Sequence, residues 1–138
     1  MLNNIVAVVS GVAVGMVLNM ALIRLNFSVL FPVPEGLDTS DIEQFNGFLQ
    51  TLPDAAFLVV FVAHLSQSFA GAWVAARIAH EYPMRLALVV GLVAMAGGFM
   101  AMRMLYGPEW LIIELPLYVA TAWLGGQLEL RRRAREGN

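Results

Sequence analysis

The sequence predicts an all-α protein, a four-transmembrane-helix bundle with a short amphipathic helix in the first outer loop, and three observations carry that expectation. Of its 138 residues, 59% are hydrophobic and 13% charged, against about 45–50% and 25% in an ordinary soluble domain. The missing charge is concentrated in four runs, Ile5–Ile23, Ala55–Ala76, Leu86–Met102 and Leu111–Leu128, interrupted only by Glu114. Pro32, Pro34, Pro53, Pro83 and Pro108 all fall between the runs, where a missing N–H costs no helical hydrogen bond, and only Pro116 falls inside one.

The runs hold 17 to 22 residues, close to the roughly 20 that a helix needs to cross about 30 Å of hydrocarbon. The third is the shortest. Arg103 can extend its side chain to the headgroups and so admit Met104 and Leu105 to the span. The chain therefore reads as a single membrane domain over residues 1–130, with spans at about 5–23, 55–76, 86–105 and 111–128, followed by a basic tail over 131–138. The opening Met1-Leu2-Asn3-Asn4 carries no basic side chain, so the first run is expected to remain as a helix and not to act as a cleaved signal peptide. The absence of cysteine removes disulfides, thiolate metal sites and cysteine nucleophiles together.

Arginine placement sets the expected orientation. Arg77 and Arg85 flank the short turn between the second and third runs, and Arg131, Arg132, Arg133 and Arg135 crowd the C-terminal end. By the positive-inside rule both termini are cytoplasmic, and the segment over 31–54 lies outside. That segment carries Glu35, Asp38, Asp41, Glu43 and Asp54 with no basic residue. Arg24 and Arg103 are the two exceptions, at the outer ends of the first and third spans.

Within the outer segment, Ser40-Asp-Ile-Glu43 has the form of a capping box, and Ile42, Phe45, Phe48, Leu49 and Leu52 then recur at helical spacing opposite Glu43, Gln44, Asn46 and Gln50. This predicts an amphipathic helix over 40–52. With no lysine or arginine to attract anionic lipid, it is expected to pack on the protein as a lid over the bundle.

Each span also carries a small or polar face. The first has Gly11, Gly15 and Asn19 at intervals of four, and the second has His64, Ser68, Gly71 and Ala75. The third has Ala94, Gly98, and Gly97 with Ala101, while the fourth has Glu114, Tyr118, Thr121 and Gly125. Lipid tails are as apolar as leucine, so helices associate through close backbone approach and interhelical hydrogen bonds. Gly11, Gly15, Gly71, Gly98 and Gly125 are the expected packing positions. No register aligns the two halves of the chain as an inverted repeat.

The polar residues inside the spans are the functional pointers. Asn19, Arg24, His64, Arg103, Glu114 and Tyr118 form a candidate polar vestibule open to the outside, with Arg24 or Arg103 expected to pair with Glu114. The alternative is structural: a Glu114–arginine pair with amide and imidazole hydrogen bonds between helices. His64 and His80 lie sixteen residues apart, about 24 Å along a helix, too far to share one metal. No metalloprotease, catalytic-triad or phosphate-loop pattern occurs, so no metal, cofactor or enzymatic activity is expected. The arginine run follows a span directly and is read as a topology anchor touching anionic lipid, with no nucleic-acid partner.

Asn19-Met-Ala-Leu-Ile23, Phe31-Pro-Val-Pro-Glu-Gly-Leu-Asp38, Ala63-His64, Gly71-Ala72 with Ala75-Ala76, Gly97-Gly98 and Ala122-Trp-Leu-Gly125 resemble a group of small, uncharacterised bacterial four-span integral membrane proteins. The resemblance covers nearly the whole chain and implies a bacterial inner-membrane location, but no activity. Arg24 and Arg103 stand outside its pattern. The leading expectation is a non-enzymatic structural or accessory component of a membrane complex, its partners the lipid bilayer and either further copies of the chain or other subunits. The alternative is a small oligomeric transporter or channel for an ion, proton or small solute.

Overall fold

A computed structural model describes residues 2–137. Those residues form an all-α bundle in which four long helices pack antiparallel and a fifth, short one closes one end. The long helices are α1 (Leu2–Leu25), α3 (Asp54–Ile78), α4 (Pro83–Met104) and α5 (Glu114–Glu136), and the short one is α2 (Ile42–Leu49). At about 1.5 Å per residue the long helices measure roughly 33–38 Å, enough to cross a bilayer. All four are apolar enough to do so. The protein is a four-span membrane protein.

Helix α3 is the hub, touching α1, α4 and α5. Both ends of the described chain meet at its C-terminus: the Asn3 side-chain amide donates to the Ile78 carbonyl at 3.3 Å, and Arg133 Nη2 donates to the carbonyls of Ala76 and Ala79 at 2.6 and 2.8 Å. We call this the arginine end and the opposite one the lid end.

Local sequence explains the boundaries. Helix α1 widens into a π-type turn over Asn26–Leu30, closed by the Phe31 N–H on the Asn26 carbonyl at 2.7 Å. Asn26 is fully buried and donates its side-chain amide to the Ala56 carbonyl at 3.1 Å, pinning the end of α1 to the start of α3. Pro83 occupies the first turn of α4, where its missing N–H is harmless. The preceding Tyr82 takes the left-handed conformation, φ 55°, with the Arg85 guanidinium over its ring. A 3-10 segment, Glu109–Ile113, leads into α5, so Pro116 falls in the first turn of that helix rather than in mid-span.

Three boundaries differ from expectation. The lid helix begins at Ile42 and is capped by Asp41, whose carboxylate accepts from the N–H groups of Glu43 and Gln44 at 3.0 and 3.2 Å. Ser40 is not the cap, because its own N–H and hydroxyl both donate to Asp38, at 2.8 and 2.6 Å. The lid helix also stops at Leu49, giving way to a turn at Gln50 and Thr51, so it is shorter than the span 40–52. The basic segment is no separate tail, since α5 continues helical through Arg131–Arg135 to Glu136.

The core follows the rule for membranes, with small residues between helices. Ala7, Ala63, Ala72, Ala75, Ala76, Ala87 and Ala122 are fully buried, while Val6, Val9, Met16, Val17 and Met20 of α1 are exposed where lipid would lie. Bulky side chains enter the core at the lid end, where Phe48, Leu49, Phe57 and Leu111 form a buried cluster.

Candidate functional site

Under the lid lies a cavity of about 840 Å³, within the range of small-molecule sites. Its walls come from Ile23 in the last turn of α1 and Phe27 in the π-type turn that follows, Phe45 and Leu49 of α2, Phe57 and Val60 of α3, and Ala101 and Met102 of α4. The lining is overwhelmingly apolar. Tyr106, Gly107, Glu109 and Ile112 are its exposed members, so the mouth lies beside the link from α4 to α5. The lid is held across that link by Asn46, whose side chain donates to the Met104 carbonyl at 3.0 Å and accepts from the Tyr106 N–H at 2.6 Å. Edge-on contacts of Phe27 with Phe45 and Phe48 hold it from the other side.

The polar floor is supplied by His64 and Glu114. The Nδ1 atom of His64 lies 3.1 and 3.0 Å from the two Glu114 carboxyl oxygens. The Tyr118 hydroxyl, one turn below on α5, donates to Glu114 Oε1 at 3.2 Å. Ser68, one turn below His64 on α3, donates to the Tyr118 carbonyl at 2.6 Å and fixes the register of the two helices. Glu114 is 1% exposed and His64 18%. A lone ionised group inside a bilayer costs roughly 2.5–3.5 kcal/mol on insertion scales, so the carboxyl is placed where an imidazole and a phenol answer it.

Of the six residues of the expected vestibule, the structure brings three together: His64, Glu114 and Tyr118. The expected pairing of Glu114 with Arg24 or Arg103 does not form. Both arginines are exposed and lie outside the cavity lining, and neither has an ion pair among the described residues. Their long side chains end at the lid-end surface, where a guanidinium keeps its hydration, and the imidazole takes the place expected for them. Asn19 is half-buried on α1 and also lies outside the cavity; its Oδ1 is buried without a hydrogen-bond partner.

The five packing glycines all sit at close approaches. A Cβ at Gly11 would meet the Gly71 backbone and one at Gly71 the Gly11 backbone, which marks the α1–α3 crossing. Gly15 faces the Gln67 carbonyl, Gly98 the Tyr118 ring, and Gly125 the backbone of Phe69 and Trp73. Gly97 faces open space. Gly91, against Ala122, and Gly126, against Met84 and Ala87, are further contacts that the spacing argument missed.

A second buried carboxylate also escaped the sequence reading. Glu129, at the arginine end of α5, is fully buried. It accepts from Arg132 Nε and Nη2 at 2.9 and 2.6 Å and from Arg133 Nε at 3.0 Å, with Arg77 Nη1 at 3.6 Å. Arg132 also pairs with Glu136. The signal was present in the spacing: Glu129 lies three and four residues before Arg132 and Arg133, which places them on one helical face.

Comparison of the chain with protein-family models, with characterised proteins and with solved structures finds no match in any of the three.

Proposed function

We propose that this is a non-enzymatic, multi-pass protein of a bacterial inner membrane, with both termini cytoplasmic, whose lid-end cavity takes up a lipid-soluble molecule. It would do so as an accessory component of a membrane complex or as a homo-oligomer. The single observation that carries the binding reading is the cavity of about 840 Å³ with a part-buried imidazole paired to a buried carboxyl at its floor. A purely architectural bundle gives no reason to keep such a volume open, because unfilled space forfeits packing contacts. The arginine-rich end supports the orientation.

The competing reading, a transporter or channel for an ion, proton or small solute, is favoured by the presence of an ionisable dyad inside a span. A transport path would have to continue past Glu114. Below it Tyr118 packs on Gly98, and Ala72, Ala76, Ala87 and Ala122 form a buried apolar cluster. Binding at the lid end therefore fits the geometry better than passage through the bundle.

The test uses the purified protein in phosphatidylcholine nanodiscs and the neutral fluorophore N-phenyl-1-naphthylamine. The expected result is one saturable equivalent of bound fluorophore, lost in Ala101→Trp, which fills the cavity with an indole. Equal binding by the variant would place the fluorophore in lipid and remove the reading. Proton or cation flux in proteoliposomes that is abolished by Glu114→Gln would favour the transporter instead.

A further inference from the structure

We infer that the cavity selects a neutral apolar molecule bearing one hydrogen-bond-accepting oxygen, a carbonyl of the ketone, ester or quinone kind, and that this oxygen docks on Nε2 of His64. The inference rests on the binding reading above and deepens it.

Nδ1 of His64 is committed to Glu114, whose Oε1 also accepts from Tyr118. The other ring nitrogen, Nε2, makes no hydrogen bond to any described residue and is not among the side-chain atoms sealed from solvent without a partner. His64 lines the cavity, and Nε2 is the ring nitrogen left without a partner there.

The hydrogen on Nε2 follows from charge balance. Two arrangements leave the dyad without net charge and place one hydrogen between its members: an imidazolium facing a carboxylate, and a neutral imidazole accepting at Nδ1 from a protonated carboxyl. In both, Nε2 carries a hydrogen. A ring protonated at Nδ1 alone leaves Nε2 bare: facing a protonated carboxyl it leaves the acid hydrogen without an acceptor, because Tyr118 donates to Glu114, and facing a carboxylate it holds an unbalanced negative charge within a span. No arginine compensates it, since the described ion pairs of Glu114 involve His64 alone. The cavity thus presents one N–H donor in an apolar wall. An oxygen acceptor on an apolar body satisfies that donor. An anion would bring the unbalanced charge back, and a hydrocarbon would leave the donor unpaired.

Displacement of N-phenyl-1-naphthylamine from the protein in nanodiscs of ether-linked phosphatidylcholine tests this, with 2-tridecanone, tridecane and tridecanoate compared at equal mole fraction in the lipid. The ketone is expected to displace the fluorophore at about tenfold lower mole fraction than the alkane, the ratio that one net hydrogen bond gives. The carbonyl stretch of the bound ketone, labelled with ¹³C, is expected at lower frequency than that of ketone in protein-free discs. In His64→Phe, which keeps a planar ring, the ketone's advantage and the frequency shift both disappear while the alkane still displaces. Wild-type protein alone decides the matter should that variant not fold. Equal displacement by ketone and alkane, or stronger displacement by tridecanoate, overturns the inference while the cavity reading stands. Failure of all three to displace a fluorophore whose saturable binding is lost in Ala101→Trp overturns the inference while the cavity reading stands, and saturable binding retained in Ala101→Trp overturns both. Repeating the titration in ester-linked discs separates the sources: an undiminished ketone effect identifies a free molecule as the ligand, and a lost one identifies the ester carbonyl of a bilayer lipid.

Discussion

The two buried glutamates of α5 lie fifteen residues apart, about 22 Å along one helix, and their surroundings are opposite. Glu129 is held by Arg132 and Arg133 with Arg77 close by, and Arg133 reaches on to the end of α3. Around it the helices meet through Gly125, Gly126, Ala72, Ala76, Ala87 and Ala122. Glu114 has no arginine. It is answered by an imidazole and a phenol and sits beside open volume. The first arrangement engages both carboxylate oxygens and ties α5 to the end of α3; the second leaves a polar atom free to meet a ligand. A buried carboxylate held by three arginine hydrogen bonds is a structural clasp, whereas one whose partner still has a free nitrogen has something to offer.

The strongest way to break this contrast is a pair of glycine substitutions. Gly125→Leu is expected to prevent assembly, because the new side chain meets the backbone of Phe69 and Trp73, which cannot yield. The nearest atoms that Gly98→Ala meets belong to the Tyr118 side chain and not to backbone, and Gly98 itself lines the cavity, so the bundle should form with altered ligand binding. Gly97→Leu, in open space, should be silent. Size-exclusion profiles and thermal unfolding in detergent rank the three, and equal behaviour of Gly125→Leu and Gly97→Leu would refute the tight packing of the arginine end.

Next in size is Glu129→Ala. Removing the acceptor leaves Arg132 and Arg133 facing each other across a buried void, and a loss on the order of 3 kcal/mol is expected, at the low end for a buried pair because the arginines reach solvent. Glu114→Gln should cost far less, under about 1 kcal/mol, since the amide keeps the shape and can still accept from Tyr118. Unfolding titrations in mixed micelles compare the two directly. A larger loss from Glu114→Gln would reverse the roles assigned to the two ends.

How far the sequence could be read differs between the ends as well. Four spans, the lid and its attachment to the bundle were legible because apolar run length, proline position and a helical repeat of Ile42, Phe45, Phe48, Leu49 and Leu52 are local signals. The partner of Glu114 was not. Counted from the edges of the uncharged runs, Glu114 lies three residues past Leu111 and His64 nine past Ala55, which sets His64 well below Glu114, whereas the fourth span begins at Glu109 with a 3-10 segment that rises about 2.0 Å per residue. Those five residues carry Glu114 about 10 Å below Glu109, which narrows the gap to His64, about 15 Å into α3 after ten residues of about 1.5 Å each. Glu129 was passed over because the uncharged run ends at Leu128, although the helix does not. The cavity had no local signal, since it depends on how α2 sits over three other helices.

The smallest expected effect concerns the lid cap. Hydrogen bonds from the Gln44 side chain and from the Gln44 and Glu43 N–H groups hold the Asp41 carboxyl below its usual value of 3.8. A lowered folded value means that the cap's contribution is fully present above pH 3.8 and is lost as the pH falls through the lower folded value. Hydrogen exchange over residues 42–49, corrected for intrinsic rates, should be flat from pH 7 to about 5 and rise in acid. Asp41→Ala should show the faster exchange at all pH values, and Asp41→Asn, which still caps, should show little change at neutral pH.

The central claim, that the lid end is a ligand site and the arginine end a clasp, is tested most directly by locating a bound molecule. Crystals grown from lipidic phase with a chain-brominated 2-tridecanone would show the bromine by its anomalous signal. The account predicts a peak under α2, between the walls formed by Phe57 and Ala101, in the wild-type protein and none there in Ala101→Trp. Peaks only along the lipid-facing side of α1, identical in both proteins, would contradict it.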